Sequence, residues 1–287
     1  NKGIELSIES QNIVRPKFHW STTLTMSHND QMVDDIGSED FISAYNSPGN
    51  NPYMMYGYVK GYPLNSLWGF KYGGTWKNAE ERTENNITKT YVSPSNTDGG
   101  PRYYDINHDG VMSKEDLIYQ GNADPYLYGG LQNTFYIHGL KVGVYFAYSL
   151  GGKIYNYSEI YMAGSQFSNQ YRYMLDAWHP VRNPDSNIPR AGAKSDAALP
   201  SDFMIHDASY LRLKNITLSY TFDLRKKCSW VKDLTVSVSG ENLYLWKKYN
   251  GFDPDVSSEG TSSTLRRMDL GAYPKPRTII FSLQLRY

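Results

Sequence analysis

This chain of 287 residues has a single cysteine, Cys228, which excludes an internal disulfide framework and any multi-cysteine metal site. It has no charge excess, since Lys plus Arg and Asp plus Glu both number 29. Without a broad field to steer acidic ligands, the composition argues against a nucleic-acid partner. No run approaches the roughly 18–20 apolar residues that a membrane helix needs. Catalytic signatures are missing as well. The six His are scattered with no HExxH, and there is no Gly-x-Ser-x-Gly, phosphate loop or dinucleotide fingerprint. Asp253 and Asp255 flank Pro254 and read as turn formers rather than an acid–base pair. The sequence reads as no enzyme.

What the chain does have is alternation. Near its end, Ile279, Phe281, Leu283, Leu285 and Tyr287 alternate with Thr278, Ile280, Ser282, Gln284 and Arg286, the pattern of a strand with one apolar face. Seven segments share this period: 3–13, 17–29, 126–138, 140–151, 209–223, 233–246 and 276–287. At 11–15 residues they exceed the roughly 5–6 of globular strands and reach the roughly 9–11 that cross a bilayer. The mean hydropathy of −0.59 is blind to such strands, because their two faces average out. The connections alternate too: short around 12–16, 138–139 and 224–232, long over 30–125, 152–208 and 247–275. Short turns at one rim and long loops at the other mark an outer-membrane barrel, not a Greek-key sandwich. The predicted fold is therefore all-β, an antiparallel transmembrane barrel segment of about seven strands with long extracellular loops.

Val142, Val144, Phe146, Ile216, Leu218, Ile279, Phe281, Leu283 and Leu285 are expected to face lipid. Thr235, Ser237, Ser282 and Gln284 should face the lumen, with Glu5 and Glu9 as lumen-lining charge. Asn242, Leu211 and Leu213 break the alternation, and are read as extensions above the membrane, with bulges as the other explanation. The first long loop should fold on itself, with a strand at 67–72, and any helix is short, at 38–45 or 170–177. The chain starts directly in the alternating Ile4, Leu6 and Ile8, which suggests the C-terminal piece of something longer.

One loop motif carries a mechanism. From Asp105 to Asp116, oxygen donors stand at the spacing of a calcium loop: Asp105, Asn107, Asp109, the Val111 carbonyl, Ser113 and Asp116, with Gly110 at the sharp turn. Asp116 stands where a helical hand carries Glu, and no second hand follows. The bland reading is an Asx-rich turn that binds nothing; if calcium binds, it stiffens the loop. The loops also carry many aromatics, among them Tyr53, Tyr56, Tyr58, Trp68, Trp76, Tyr161, Tyr171, Tyr173, Trp178 and Tyr249. Exposed in such number, they would imply a covered surface. Trp68, Tyr72 and Trp178 are the expected ligand contacts.

Eight stretches, in order along the chain, resemble the C-terminal third of SusC/RagA-type TonB-dependent outer-membrane transporters. They are Asn1-Lys-Gly-Ile-Glu-Leu, Phe18-His-Trp-Ser-Thr, Gly61-Tyr-Pro-Leu-Asn-Ser-Leu-Trp-Gly-Phe-Lys-Tyr, Tyr104-Asp-Ile-Asn-His-Asp-Gly, Ser209-Tyr-Leu-Arg-Leu-Lys-Asn-Ile-Thr-Leu-Ser-Tyr, Val238-Ser-Gly-Glu-Asn-Leu-Tyr-Leu-Trp, Tyr249-Asn-Gly-Phe-Asp-Pro-Asp-Val, and Tyr273-Pro-Lys-Pro-Arg-Thr. The resemblance implies a barrel of about 22 strands, of which these would be the last seven. It implies a plug and a TonB box upstream, a SusD-type lipoprotein lid, and import of oligosaccharides or peptides across the outer membrane of a Gram-negative bacterium. The competing expectation is a secreted, soluble β-sandwich that binds glycans through surface Tyr and Trp, with a structural calcium loop.

Overall fold

The computed structural model describes residues 1–43, 56–163, 169–191, 199–225, 230–258 and 266–287. Seven long strands dominate it: β1 (Lys2–Arg15), β2 (Phe18–Asp30), β3 (Leu127–Ile137), β4 (Leu140–Leu150), β5 (Tyr210–Asp223), β6 (Asp233–Lys247) and β7 (Thr278–Arg286). They form one antiparallel meander in chain order, so the three short turns fall at one rim and the three long connections at the other. The β3–β4 turn is formed by His138 and Gly139 at φ 49° and 89°. Two left-handed residues in succession give the turn whose twist matches that of the flanking strands.

The register carries one apolar face across the whole wall. Phe135 pairs with Trp20 and Val142, Val142 with Leu218, Leu218 with Val238, and Val238 with Phe281. Directly opposed residues point to the same side of a sheet. Leu131, Phe146, Leu24 and Ile8 make a second row in the same way. No described residue buries this face. Among the described residues every buried apolar side chain lies outside β1–β7, while Phe281 and Leu283 are 80% and 76% exposed. A β-sandwich would bury these residues under a second sheet, so the sandwich expectation gives way to a wall that meets lipid. Thr235, Gln284, Ser237 and Ser282 share the opposite, polar face, as do Glu5 and Glu9 through their partners Ser27 and Thr23.

The broken alternation has a different cause from the extensions expected. Lys214 is an extra residue between Leu213 and Asn215, set against Asn242 and Leu243 of β6. This bulge returns Leu213 and Leu211 to the apolar face, opposite Phe146 and Tyr148. Asn242 takes φ 51° within the bulge, and its side-chain amide donates to the Pro276 carbonyl at 3.0 Å.

Above the long-loop rim the connections fold into a layer of their own. The expected strand at 67–72 is two, Ser66–Gly69 paired with Ile118–Asn122 and Tyr72–Thr75 paired with Pro101–Tyr104. Residues 172–176 form a 3-10 helix, but the described part of 38–45 is a turn followed by a short strand. The longer α-helix of the layer, α1 (Ala79–Thr88), was not expected. Asn78 caps it by accepting from the Glu81 amide at 2.9 Å, and none of its residues is buried. With no apolar stripe, periodicity could not reveal it; Asn78 followed three residues later by Glu81 could have.

Candidate functional site: the inner wall and the loop layer

Of the loop aromatics named above, those the structure describes are buried or half-buried, while Phe252 and Tyr273 elsewhere in the loops are exposed. Tyr56, Leu67, Tyr155, Tyr157, Met204 and Met268 form one core, and Phe70, Val92 and Tyr103 another. Trp76 and Tyr249 are buried too. Tyr53 lies outside the described residues, as does the side chain of Tyr161. The expected exposure of these rings is thus corrected: aromatics are the apolar substance from which polar loops build small cores. Burial pushes the Tyr56, Tyr72, Tyr173 and Tyr249 phenols up, so they remain neutral. Tyr56 donates to the Arg266 carbonyl at 3.0 Å and Tyr249 to Asp269 at 2.7 Å.

Of the three expected ligand contacts, Trp68 is buried against Tyr62, Tyr119 and Phe41 at ring-centroid separations of 4.8, 5.8 and 6.0 Å. Tyr72 donates its hydroxyl to the Asn187 carbonyl at 2.7 Å, and the Trp178 amide donates to Ile188 at 2.9 Å. Tyr72 and Trp178 thus brace the same short segment, while Trp68 belongs to a separate aromatic cluster.

A cavity of about 850 Å³ lies where the upper inner wall meets the loops. Ser27, Tyr128, Ser149 and Tyr210 stand in one row across β2, β3, β4 and β5. Arg266 and Arg267 close the site from the last long loop. Most charges in it and around it are matched. Arg212, a lone cation between Leu211 and Leu213, donates to Asp253 at 2.7 Å, and both are buried. This pair ties the last loop to β5, and Asp253 also accepts from the Asp255 amide at 2.9 Å in the turn the sequence predicted. Arg266 donates to Asp124 at 2.9 Å, and Lys275 pairs with Asp255. Sequence reasoning missed Arg212 and Arg267. The first left a signal, a charge on a strand flanked by leucines; the second sits in a loop with none.

The Asp105–Asp116 segment wraps as a tight loop. Asp105 accepts from the His108 and Gly110 amides at 2.8 and 2.7 Å, Asp109 from Val111 at 2.7 Å, and Asp116 from Ile106 and Ser113, both at 2.9 Å. Gly110 has φ 82°, as the sharp turn requires. Asp105 and Asp116 are buried and have no cationic partner among the described residues. Ionised carboxylates have about four lone-pair sites, so these amide bonds leave acceptor capacity. No group of three or more His, Cys, Asp or Glu able to hold a metal occurs among the described residues. The donor set here would instead need the Asn107 amide oxygen, the Val111 carbonyl and the Ser113 hydroxyl.

A wall with an uncovered apolar face, a polar inner face and a folded loop layer at one rim defines a segment of an outer-membrane-type β-barrel. No protein-family model matches the chain. Its whole length aligns with TonB-dependent receptor P26 of Formosa agariphila, 32% identical and covering 29% of that protein. It aligns likewise with TonB-dependent receptor SusC of Bacteroides thetaiotaomicron, 27% identical over 26% of that protein. Among solved structures, the RagAB peptide transporter superposes on 99% of this chain with a TM-score of 0.74 and 19% identity, over 29% of its own chain. Over its whole length the chain is similar to TonB-dependent receptors, SusC among them, with the fold of the RagAB barrel wall, and it spans less than a third of the relatives it matches.

Proposed function

We propose that this chain belongs to an active importer of oligosaccharides or peptides in the outer membrane of a Gram-negative bacterium. Its share would be a stretch of barrel wall, the loops above it and part of the ligand cavity. The observation that carries this reading is the two-faced wall, whose apolar exterior is stable only in lipid and whose polar interior opens into a cavity under the loops. The names of the relatives, TonB-dependent receptors and a peptide transporter, support it. Energy would arrive through TonB, by way of residues outside this chain.

A SusD-type lipoprotein would cap the loops. Leu175, Val181, Phe252 and Tyr273 are exposed apolar side chains there, which supports a covered surface in the class of permanent interfaces, above roughly 2,000 Å². Calcium in the Asp105–Asp116 loop would supply the cation that buried Asp105 and Asp116 lack, and would stiffen the layer on which the lid rests. The test is uptake of labelled oligosaccharides and peptides by cells carrying or lacking the full-length gene, with and without functional TonB. Uptake should require both, and the protein should leave its native membrane in mild detergent with a lipoprotein attached. Import that persists without TonB would sink the reading.

A further inference from the structure

Among the described residues, Arg267 is the charge in the cavity without a counter-ion. Its guanidinium donates to two neutral acceptors, the Ser149 hydroxyl at 2.7 Å and the Gly151 carbonyl at 3.2 Å. It has no ion-pair partner among the described residues. Asp124 and Asp255 act on it from a distance, but Asp124 is held by Arg266 and Asp255 by Lys275. Burial lowers the Arg267 pKa from the ordinary guanidinium value, in keeping with a cation withdrawn from water.

The seat for this side chain is built. Gly152 has φ 76°, and a Cβ there would come within 2.4 Å of Arg267 Nη1, so only glycine lets the guanidinium lie against this backbone. Arg267 itself holds φ 58°, a left-handed conformation that non-glycine residues rarely adopt. Tyr128, Tyr145 and Tyr210 line the same cavity with flat, amphipathic rings. A largely buried cation is costly unless an anion meets it, and a guanidinium matches a carboxylate in two parallel hydrogen bonds.

We propose that Arg267 receives a carboxylate of the imported oligomer, so that this cavity selects acidic substrates over neutral ones of the same shape. This rests on the importer reading and names its substrate chemistry. The carboxylate could belong to an acidic sugar or to a peptide C-terminus, and the test separates the two. Full-length protein in detergent, with any co-purifying lipoprotein, is titrated by calorimetry with two probe pairs. One is an oligogalacturonate and its carboxyl-reduced form; the other is a short peptide and its C-terminal amide.

In one pair, the acid should bind about tenfold or more tighter than the neutral form, as expected for a charge-assisted hydrogen bond. Arg267→Gln should bring that ratio near one, and Arg267→Lys should keep part of the preference. Resistance of the unboiled barrel to unfolding in gels checks assembly, and the lysine variant serves if the glutamine variant does not assemble. Equal binding of acid and neutral forms by the unaltered protein overturns the proposal and leaves the importer standing. So does an Arg267→Gln variant that weakens both forms alike. If none of the four probes binds, the proposal falls; if uptake is also independent of TonB, the importer reading falls with it.

Discussion

At the scale of single residues, the wall reverses the usual relation between exposure and tolerance. Leu283 is 76% exposed, yet its neighbour across the sheet is Val236 and the face they share meets lipid. Ser282 points the other way, opposite Ser237. Leu283→Arg should therefore destabilise the barrel by about 2–4 kcal/mol if it lies near the bilayer midplane, and Ser282→Arg by much less. Denaturant titrations of the full-length protein in lipid vesicles check this, and equal losses would contradict the assignment of faces. These positions were legible in the sequence because a period of two assigns each residue to a side without knowledge of its neighbours. The cavity residues were not. Arg267 acquires meaning only through Ser149 and Gly151, more than a hundred residues away, and no local pattern encodes that meeting. Nor could composition tell whether Trp76 and Tyr249 are displayed or buried, since an aromatic ring suits a small core as well as a binding surface.

At the scale of elements, strand boundaries agree with the sequence reading to within two residues, the difference being largest at the end of β1 and the start of β7. The irregularities inside strands were legible only as broken alternation, because a bulge and an extension leave the same trace. Deleting Lys214 distinguishes them. Without the extra residue, Asn215 and Leu213 oppose Tyr145 and Phe146 in regular register, so Leu211 and Leu213 keep the apolar face and Arg212 keeps its place; in a strand without a bulge the same deletion would turn all three over. The Arg212–Asp253 pair and the folded, heat-modifiable band in unboiled gels should therefore survive the deletion, and loss of the band would contradict the bulge. The calcium loop belongs to this scale as well. Calcium at about a hundredfold above its Kd should stabilise the loop layer by about 2.7 kcal/mol, read as slower proteolysis between residues 56 and 125 in chelator-stripped full-length protein. Asp105→Ala with Asp109→Ala should remove the effect and leave the barrel band unchanged. Protection that is indifferent to calcium would mean that the loop closes through its own amides alone.

At the scale of the whole molecule, the chain is a wall and a cap with opposite solvents. The cap has small interior cores like any water-soluble fold, while the wall has none and depends on the membrane to cover its apolar side. The lopsided lengths of the connections follow from this division, and they also bear on how the molecule comes to be. The pairs β1–β2, β3–β4 and β5–β6 are each joined by a short turn, so each can close as a hairpin with little loss of chain entropy. Joining one hairpin to the next requires closing a loop of dozens of residues that has its own cores to build. Assembly by local preference is then stepwise, hairpin by hairpin, with the cap condensing as the hairpins dock. β7 docks on β6 across the last long loop, a closure that no short turn assists. The strand that was easiest to read in the sequence thus reaches its partner through a non-local contact.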